Sequence, residues 1–283
     1  PMTFRGTVYG LPFNYKSIAL IYNKALIDKP PATTGELVAA AKTHTNASVG
    51  KFGLAYEYSN YFFHAALMNG MGGRVFDPGP TPTINLAENI KAIDLMMRWY
   101  TEDKILPADP SSALISTLFN GGNAAMVLSG PWFVSEIEGD VDYGRAPLPS
   151  CDECGGDPLQ PWLTVEGIYI SAGSENSEQA YELLKYLVTE EAALVMALEG
   201  RQQPSNKSVY VNPDVINDPA LSAFRKQLET AVPMPNYAEM TLMWSPVTTA
   251  MNKIVKGSAS AQSAMDEAQQ TITTSIEALR RGR

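Results

Sequence analysis

Short apolar runs alternate with longer segments of helical period along the first two thirds of the chain, and this alternation narrows the fold more than any other feature. Residues 124–128 are apolar at every position, as in a strand buried on both faces. A β-branched and aromatic stretch from residue 7 to residue 23 reads as two strands, the first ending where Pro12 breaks the run and the second over 18–22, with 52–58 and 163–171 as further strands. Between them, the prolines at 30 and 31 stop the chain, Thr33 and Thr34 offer an N-cap, and Glu36 falls in the first turn of a helix over 35–43. The period also predicts helices over 60–71, 85–103 and 111–120, a helix starting at Pro131, and helices over 177–187 and 190–198 with Thr189 as the cap between them. An irregular loop at 204–206 precedes three more helical stretches, 219–230, 239–255 and 259–279. Such a series predicts an α/β protein whose sheets are flanked by helices on both faces.

Composition closes off several functions. Thirty acidic against 21 basic residues give a formal charge of −9, which removes the usual electrostatic drive toward nucleic acid. No apolar run approaches the roughly 18 residues that cross a bilayer. The chain starts at Pro1 with no basic and apolar leader, so a leader was either removed or never present in this stretch. At 283 residues both one large domain and two lobes are admissible. Cys151 and Cys154 stand alone as a CxxC in a polar loop. They lack the second ligand pair of a zinc site, so a disulfide pinning the loop, free thiols, and metal or redox chemistry stay open in that order.

Catalytic chemistry is hard to find. The two histidines, His44 and His64, lie outside any recognisable motif. There is no nucleophile elbow, no HExxH, no phosphate-binding loop and no dinucleotide fingerprint. Aromatic residues are more informative. Tyr56, Tyr58, Tyr61, Phe62 and Phe63 crowd one region, Trp132 follows a Gly-Pro turn at a strand end, and Trp244 lies between a loop and a helix. These are core residues on the plain reading. They also fall beyond the carboxyl ends of strands, where open α/β sheets bind ligands, and an aromatic face suits the C–H face of a sugar ring.

A family resemblance then attaches to particular residues. Tyr9-Gly10-Leu11-Pro12, Ile18-Ala19-Leu20-Ile21-Tyr22-Asn23-Lys24, Lys29-Pro30-Pro31-Ala32-Thr33 and Glu36-Leu37 occur in that order. Phe119-Asn120-Gly121-Gly122-Asn123-Ala124-Ala125-Met126, Gly130-Pro131-Trp132, Tyr143-Gly144, Pro147-Leu148-Pro149, Met234-Pro235-Asn236 and Trp244 follow. Together they resemble the maltose/maltodextrin-binding family, extracellular solute-binding proteins of ABC importers, over essentially the whole chain. The resemblance implies a two-lobed periplasmic-binding-protein-like fold of type II and a carbohydrate bound between the lobes for delivery to a permease outside the cell membrane. It implies no enzyme activity, no cofactor and no metal. It also implies that roughly the first hundred residues of the family are absent, so that the C-terminal lobe (15–161 and 219–283) is complete while the N-terminal lobe (1–14 and 170–215) is partial, with hinge crossings at 13–18 and 162–169. The missing segment then counts among the partners, on the same or another chain.

Carried over by position, Trp132 and Trp244 resemble the family's stacking tryptophans, Phe62 and Phe63 its aromatic pair, and Met234 a subsite-lining methionine. Asn14, Lys16, Asn60 and Tyr61 complete the expected ligand-binding set. Asn60 and Lys16 stand where the family often has acids, and Thr248 stands where it has an arginine, so the stacking residues are kept and the polar ones differ. The competing expectation is a receptor-derived interaction module that has lost part of its ligand site and contacts a permease or signalling partner; a hydrolase is the third.

Overall fold

The computed structural model describes residues 2–4 and 6–281. Its centre is a four-stranded sheet built from the most apolar runs. Strands β2 (Ala19–Asn23) and β4 (Ala124–Ser129) are buried at every position and pair antiparallel, with Ala19 opposite Ser129 and Tyr22 opposite Met126. β3 (Phe52–Ala55) joins β4 in parallel, and β5 (Tyr143–Ala146) closes the other edge antiparallel to β2, giving the order β3-β4-β2-β5.

Alternation along these strands feeds two cores. Leu20, Leu54, Met126 and Leu128 point to one face, where they join the large cluster that includes Leu37, Ile93, Trp99, Met251, Met265 and Ile272. Ile21, Ala55 and Val127 point to the other and pack with Ile115, Phe119 and Phe133. The first face is covered by α1 (Thr34–His44), α2 (Tyr61–Gly70), α3 (Ala87–Thr101) and the later helices α9 (Trp244–Val255) and α10 (Ala261–Arg281); the second by α4 (Ser112–Asn120) and the short α5 (Pro131–Val134). Helix α1 can sit this close to β3 because residue 53 is glycine. A Cβ there would lie 2.0 Å from the Ala41 carbonyl oxygen and 2.2 Å from its Cα.

A second, three-stranded sheet links this body to the rest. β6 (Trp162–Ile168) lies between β1 (Leu11–Lys16), antiparallel, and β7 (Val232–Pro233), parallel. Lys16 faces Thr164 and Asn14 faces Glu166 before the register slips at Gly167, opposite Pro12. Pro12 therefore does not break the strand as its type suggests. It sits at the bulge, where its missing N–H costs the ladder little. After β6 come α6 (Ser177–Leu187) and α7 (Glu190–Leu198), a short helix Pro213–Ile216, and α8 (Pro219–Gln227). The stretch expected as one helix over 239–255 is instead a 3₁₀ turn, Ala238–Leu242, followed by α9.

The Asp152–Cys154 turn is closed by a Cys151–Cys154 disulfide with Cα atoms 5.0 Å apart. Its Asp152 Oδ2 accepts from Gly35 N at 2.8 Å and from Thr33 Oγ1 at 2.9 Å, so the loop is tied to the N-terminus of α1. No described helix is long and apolar enough to cross a membrane.

Candidate ligand-binding cleft

The loop from β3 into α2 and the turn after β4 bring the predicted aromatic residues together. Asn60 is the N-cap of α2, its Oδ1 accepting from Phe62 N at 3.1 Å. This cap fixes the direction of the first turn. Tyr61 (1% exposed) and Phe63 (5%) point into the core, while Phe62 stays half-buried. Trp132 lies in the first turn of α5, and its ring folds back over Gly130, where a Cβ would meet the ring at 2.0 Å. The Phe62 and Trp132 rings are 6.2 Å apart at 53°, and Phe63 braces Trp132 edge-on at 6.3 Å.

Trp162, which the sequence reading did not single out, connects the two halves of this surface. It opens β6 almost completely buried (1%) and lies 6.3 Å from Phe62, 6.1 Å from Tyr61 and 5.9 Å from Trp244. The rings Trp132, Phe62, Trp162 and Trp244 form one contiguous series with Trp162 as its anchor. Trp132 and Trp244 remain half-buried at its ends. The one sequence signal for Trp162 is a tryptophan directly after Pro161 at a strand start.

A profile of the bacterial extracellular solute-binding protein family matches residues 1–223. The chain belongs to that family. It is 29% identical to a galactooligosaccharide-binding protein of Bacillus subtilis over 98% of this chain and 68% of the relative. It is 28% identical to a maltotriose-binding protein of Pyrococcus abyssi over 89% of this chain, but spans only 56% of that relative's length. Among solved structures, a maltose/maltodextrin-binding domain from Bdellovibrio bacteriovorus bound to maltotriose superposes with a TM-score of 0.88 at 27% identity, over 97% of this chain and 74% of that one. A cyclo/maltodextrin-binding protein complexed with maltotetraose gives 0.85 at 31% identity, over 97% and 72%. The motif resemblance is thereby borne out for the family, as is the α/β fold of its two-lobed members.

In this solute-binding protein the other expected residues fall around the ring series. Lys16 Nζ sits 5.7 Å from the centre of the Trp132 ring and is paired with Glu166 across the β1–β6 ladder. Asn14, one register step away on the same face, is 5% exposed, and its Oδ1 has no partner among the described residues. Met234 donates its N–H to Leu163 O at 3.0 Å and lines a groove of about 860 Å³ with Leu163, Val165, Tyr169 and Tyr237. Thr248 lies within α9, one turn past Trp244.

The titratable groups near the rings differ in their surroundings. His64 is fully buried, neither ring nitrogen has a partner among the described residues, and burial pushes its pKa down to about 3. It is a neutral core residue stacked beside Tyr61 at 5.5 Å. Tyr56 and Tyr58 are likewise interior, Tyr58 donating to Pro107 O at 2.9 Å. Glu57 is the exception: half-buried, with its pKa raised by burial, opposed by a hydrogen bond from Asn60 and reinforced by Glu136.

Proposed function

We propose that this solute-binding protein binds a carbohydrate, of the maltose, maltodextrin or related oligosaccharide class, and delivers it to the permease of an ABC importer at the outer face of the cell membrane. The observation that carries this reading is the ring series Trp132–Phe62–Trp162–Trp244 beyond the strand ends, with half-buried faces at both ends and a buried anchor between them. Such faces take the C–H sides of pyranose rings, while hydroxyls are left for polar neighbours such as Lys16. Relatives named for galactooligosaccharides and for maltotriose support an oligosaccharide.

In this reading residues 15–161 and 219–283 form one lobe, and 1–14 with 170–215 belong to the other. Strands β1 and β6 cross between them. The ligand stabilises the closed state because only there does it touch both lobes, and the permease reads that state. Met234 lines a subsite, and the protein performs no chemistry on the sugar.

Calorimetry with maltose, maltotriose and galactooligosaccharides tests this on the chain. Saturable binding without product, weakened by about 1–3 kcal/mol in Trp132→Ala and in Trp244→Ala, is expected by analogy with other stacked rings. Absence of binding points to an interaction module, and sugar turnover to a hydrolase.

A further inference from the structure

The disulfide loop runs directly into the ring series. Residues 149–151 and 156–159 form a narrow hairpin: Cys151 N donates to Asp157 O at 2.7 Å, Gly156 N to Cys151 O at 2.9 Å and Leu159 N to Pro149 O at 3.2 Å, with the Cys151–Cys154 bond across its tip. Its first leg is fastened to the start of α1, where Thr34 N donates to Ser150 O at 2.8 Å and Ser150 N to Ala32 O at 2.9 Å. Its second leg lies on α2, the helix that carries Phe62. There Gln160 N donates to Ala66 O at 3.1 Å, Asn69 Nδ2 donates to Gln160 O at 2.9 Å, and Leu159 is buried against Gly70. Two residues after Gln160 the same leg becomes Trp162, the buried anchor of the rings.

The two cysteines are not equally placed. Cys151 is wholly buried in the large core, whereas Cys154 is half-buried and lines a groove of about 470 Å³ with Asn69, Lys91, Glu153, Asp157 and Gln160. Glu153 is paired with Arg98, so Lys91 and Asp157 supply the opposite charges of the groove. An incoming thiolate therefore meets Cys154 first, beside a lysine that favours its charge. We propose that Cys154 is a thiol–disulfide exchange site for an external dithiol, and that the state of the bond sets how firmly Trp162 is seated. A thiolate of the reductant attacks Cys154 Sγ, the disulfide bond breaks, and Cys151 leaves as a thiolate that takes up a proton. The second thiolate of the reductant then attacks its own sulfur in the mixed disulfide and releases Cys154, so the protein gains two electrons and two protons and the reductant ends as a disulfide. Once open, the tip is held by hydrogen bonds alone, and Gly155 and Gly156, already at φ of 79° and 92°, leave it free to move. The proposal is independent of what the cleft binds.

Dithiothreitol acting on the folded, ligand-free chain tests it, with alkylation and peptide mass as the first readout and hydrogen exchange and tryptophan emission as the second. Both cysteines are expected to be reduced without denaturant. Brief exposure to mercaptoethanol, quenched with iodoacetamide, is expected to leave the mercaptoethanol on Cys154 and the alkyl group on Cys151. In the reduced form the Leu159 and Gln160 amides exchange about tenfold faster, and the emission shifts to the red by an amount that Trp162→Phe abolishes. A double variant, Cys151→Ala with Cys154→Ala, is expected to match the reduced chain in both readouts and to ignore dithiothreitol. A bond that resists dithiothreitol in the folded chain, at a concentration that reduces it in urea, overturns the exchange site. Mercaptoethanol found on Cys151 does the same. If the bond opens but faster exchange stops at the Cys151 and Gly156 amides, with the emission unchanged, the disulfide is a local clasp and its link to Trp162 is wrong.

Discussion

Two regions of this chain use the same local grammar with opposite results. In the four-stranded sheet and its helices, β2 and β4 are buried at every residue, and α3, α9 and α10 each press an apolar stripe into the large core. Helix α6 has a comparably segregated apolar face, yet none of its residues is buried: Tyr181, Leu183 and Tyr186 are 53%, 56% and 49% exposed. The core of its neighbourhood is small: a cluster of Ala197, Val215 and Leu221, the last supplied by α8, which also packs against β5, with Ala193 and Val209 buried besides. Pattern and caps suffice to make a helix, but the stability of a helix comes from what its apolar face meets. Residues 170–216 are well specified locally and weakly held globally.

The sharpest test of that contrast is a pair of core truncations. Phe119→Ala removes a fully buried ring that packs edge-on against Phe133 at 5.6 Å, and is expected to cost about 3–5 kcal/mol in urea unfolding. Leu183→Ala on α6 is expected to change stability by less than about 0.5 kcal/mol. All four tryptophans, at 99, 132, 162 and 244, lie outside residues 170–216, so their fluorescence follows the sheet body, whereas far-ultraviolet dichroism also sees α6 and α7. Two non-coincident transitions, dichroism first, are expected. Coincident transitions, with Leu183→Ala as costly as Phe119→Ala, would erase the distinction.

Next in size is an acid effect confined to the sheet body. His64 is buried and neutral, with its pKa lowered to about 3, while the unfolded chain takes up a proton near the ordinary histidine value of about 6.5. A base whose folded pKa is depressed loses stability as pH falls. The loss begins near pH 6.5, grows down to about pH 3, and reaches a few kcal/mol at the acid end. His64→Met, close in volume and without a proton to gain, is expected to flatten this arm of the fluorescence-detected transition and to leave the earlier, dichroism-detected one unchanged. An arm that persists in His64→Met assigns the acid sensitivity to carboxylates instead.

What was legible in the sequence follows the same division between local and tertiary information. The strands at 18–22 and 124–128 were readable because burial on both faces leaves no polar position, and the helix over 35–43 because its cap residues are local chemistry. The aromatic residues of the cleft were readable by type, but not the direction of each ring: only the turn of α2 decides that Phe62 faces outward while Tyr61 and Phe63 face in. Trp162 was missed because its importance lies in its neighbours on other elements. Pro12 misled for a related reason, since its cost depends on the pairing, and here the ladder bulges beside it at Phe13. The exposure of α6 was equally out of reach, because amphipathic period shows which face wants burial and not whether anything covers it.

The smallest expected effect is the most controlled comparison, because one substitution can be made in both regions. Thr33 Oγ1 accepts from Glu36 N at 3.2 Å at the start of α1, and Thr189 Oγ1 accepts from Ala192 N at 3.4 Å at the start of α7. Removing either hydroxyl should cost about 1 kcal/mol of local helix stability. The readout should differ. Helix α1 is fused to the sheet through Leu37 and Ala41 and to the disulfide loop through Asp152, so Thr33→Ala is expected to shift the tryptophan-detected transition. Asp152 still accepts from Gly35 N in that variant, which holds the loss to the lower end of the range. Thr189→Ala is expected to shift only the dichroism-detected transition and to speed hydrogen exchange across 190–198, because α7 opens without the sheet. If both variants moved both probes equally, residues 170–216 would unfold as one unit with the sheet, and exposure of the α6 face would be a feature of the surface without consequence for cooperativity.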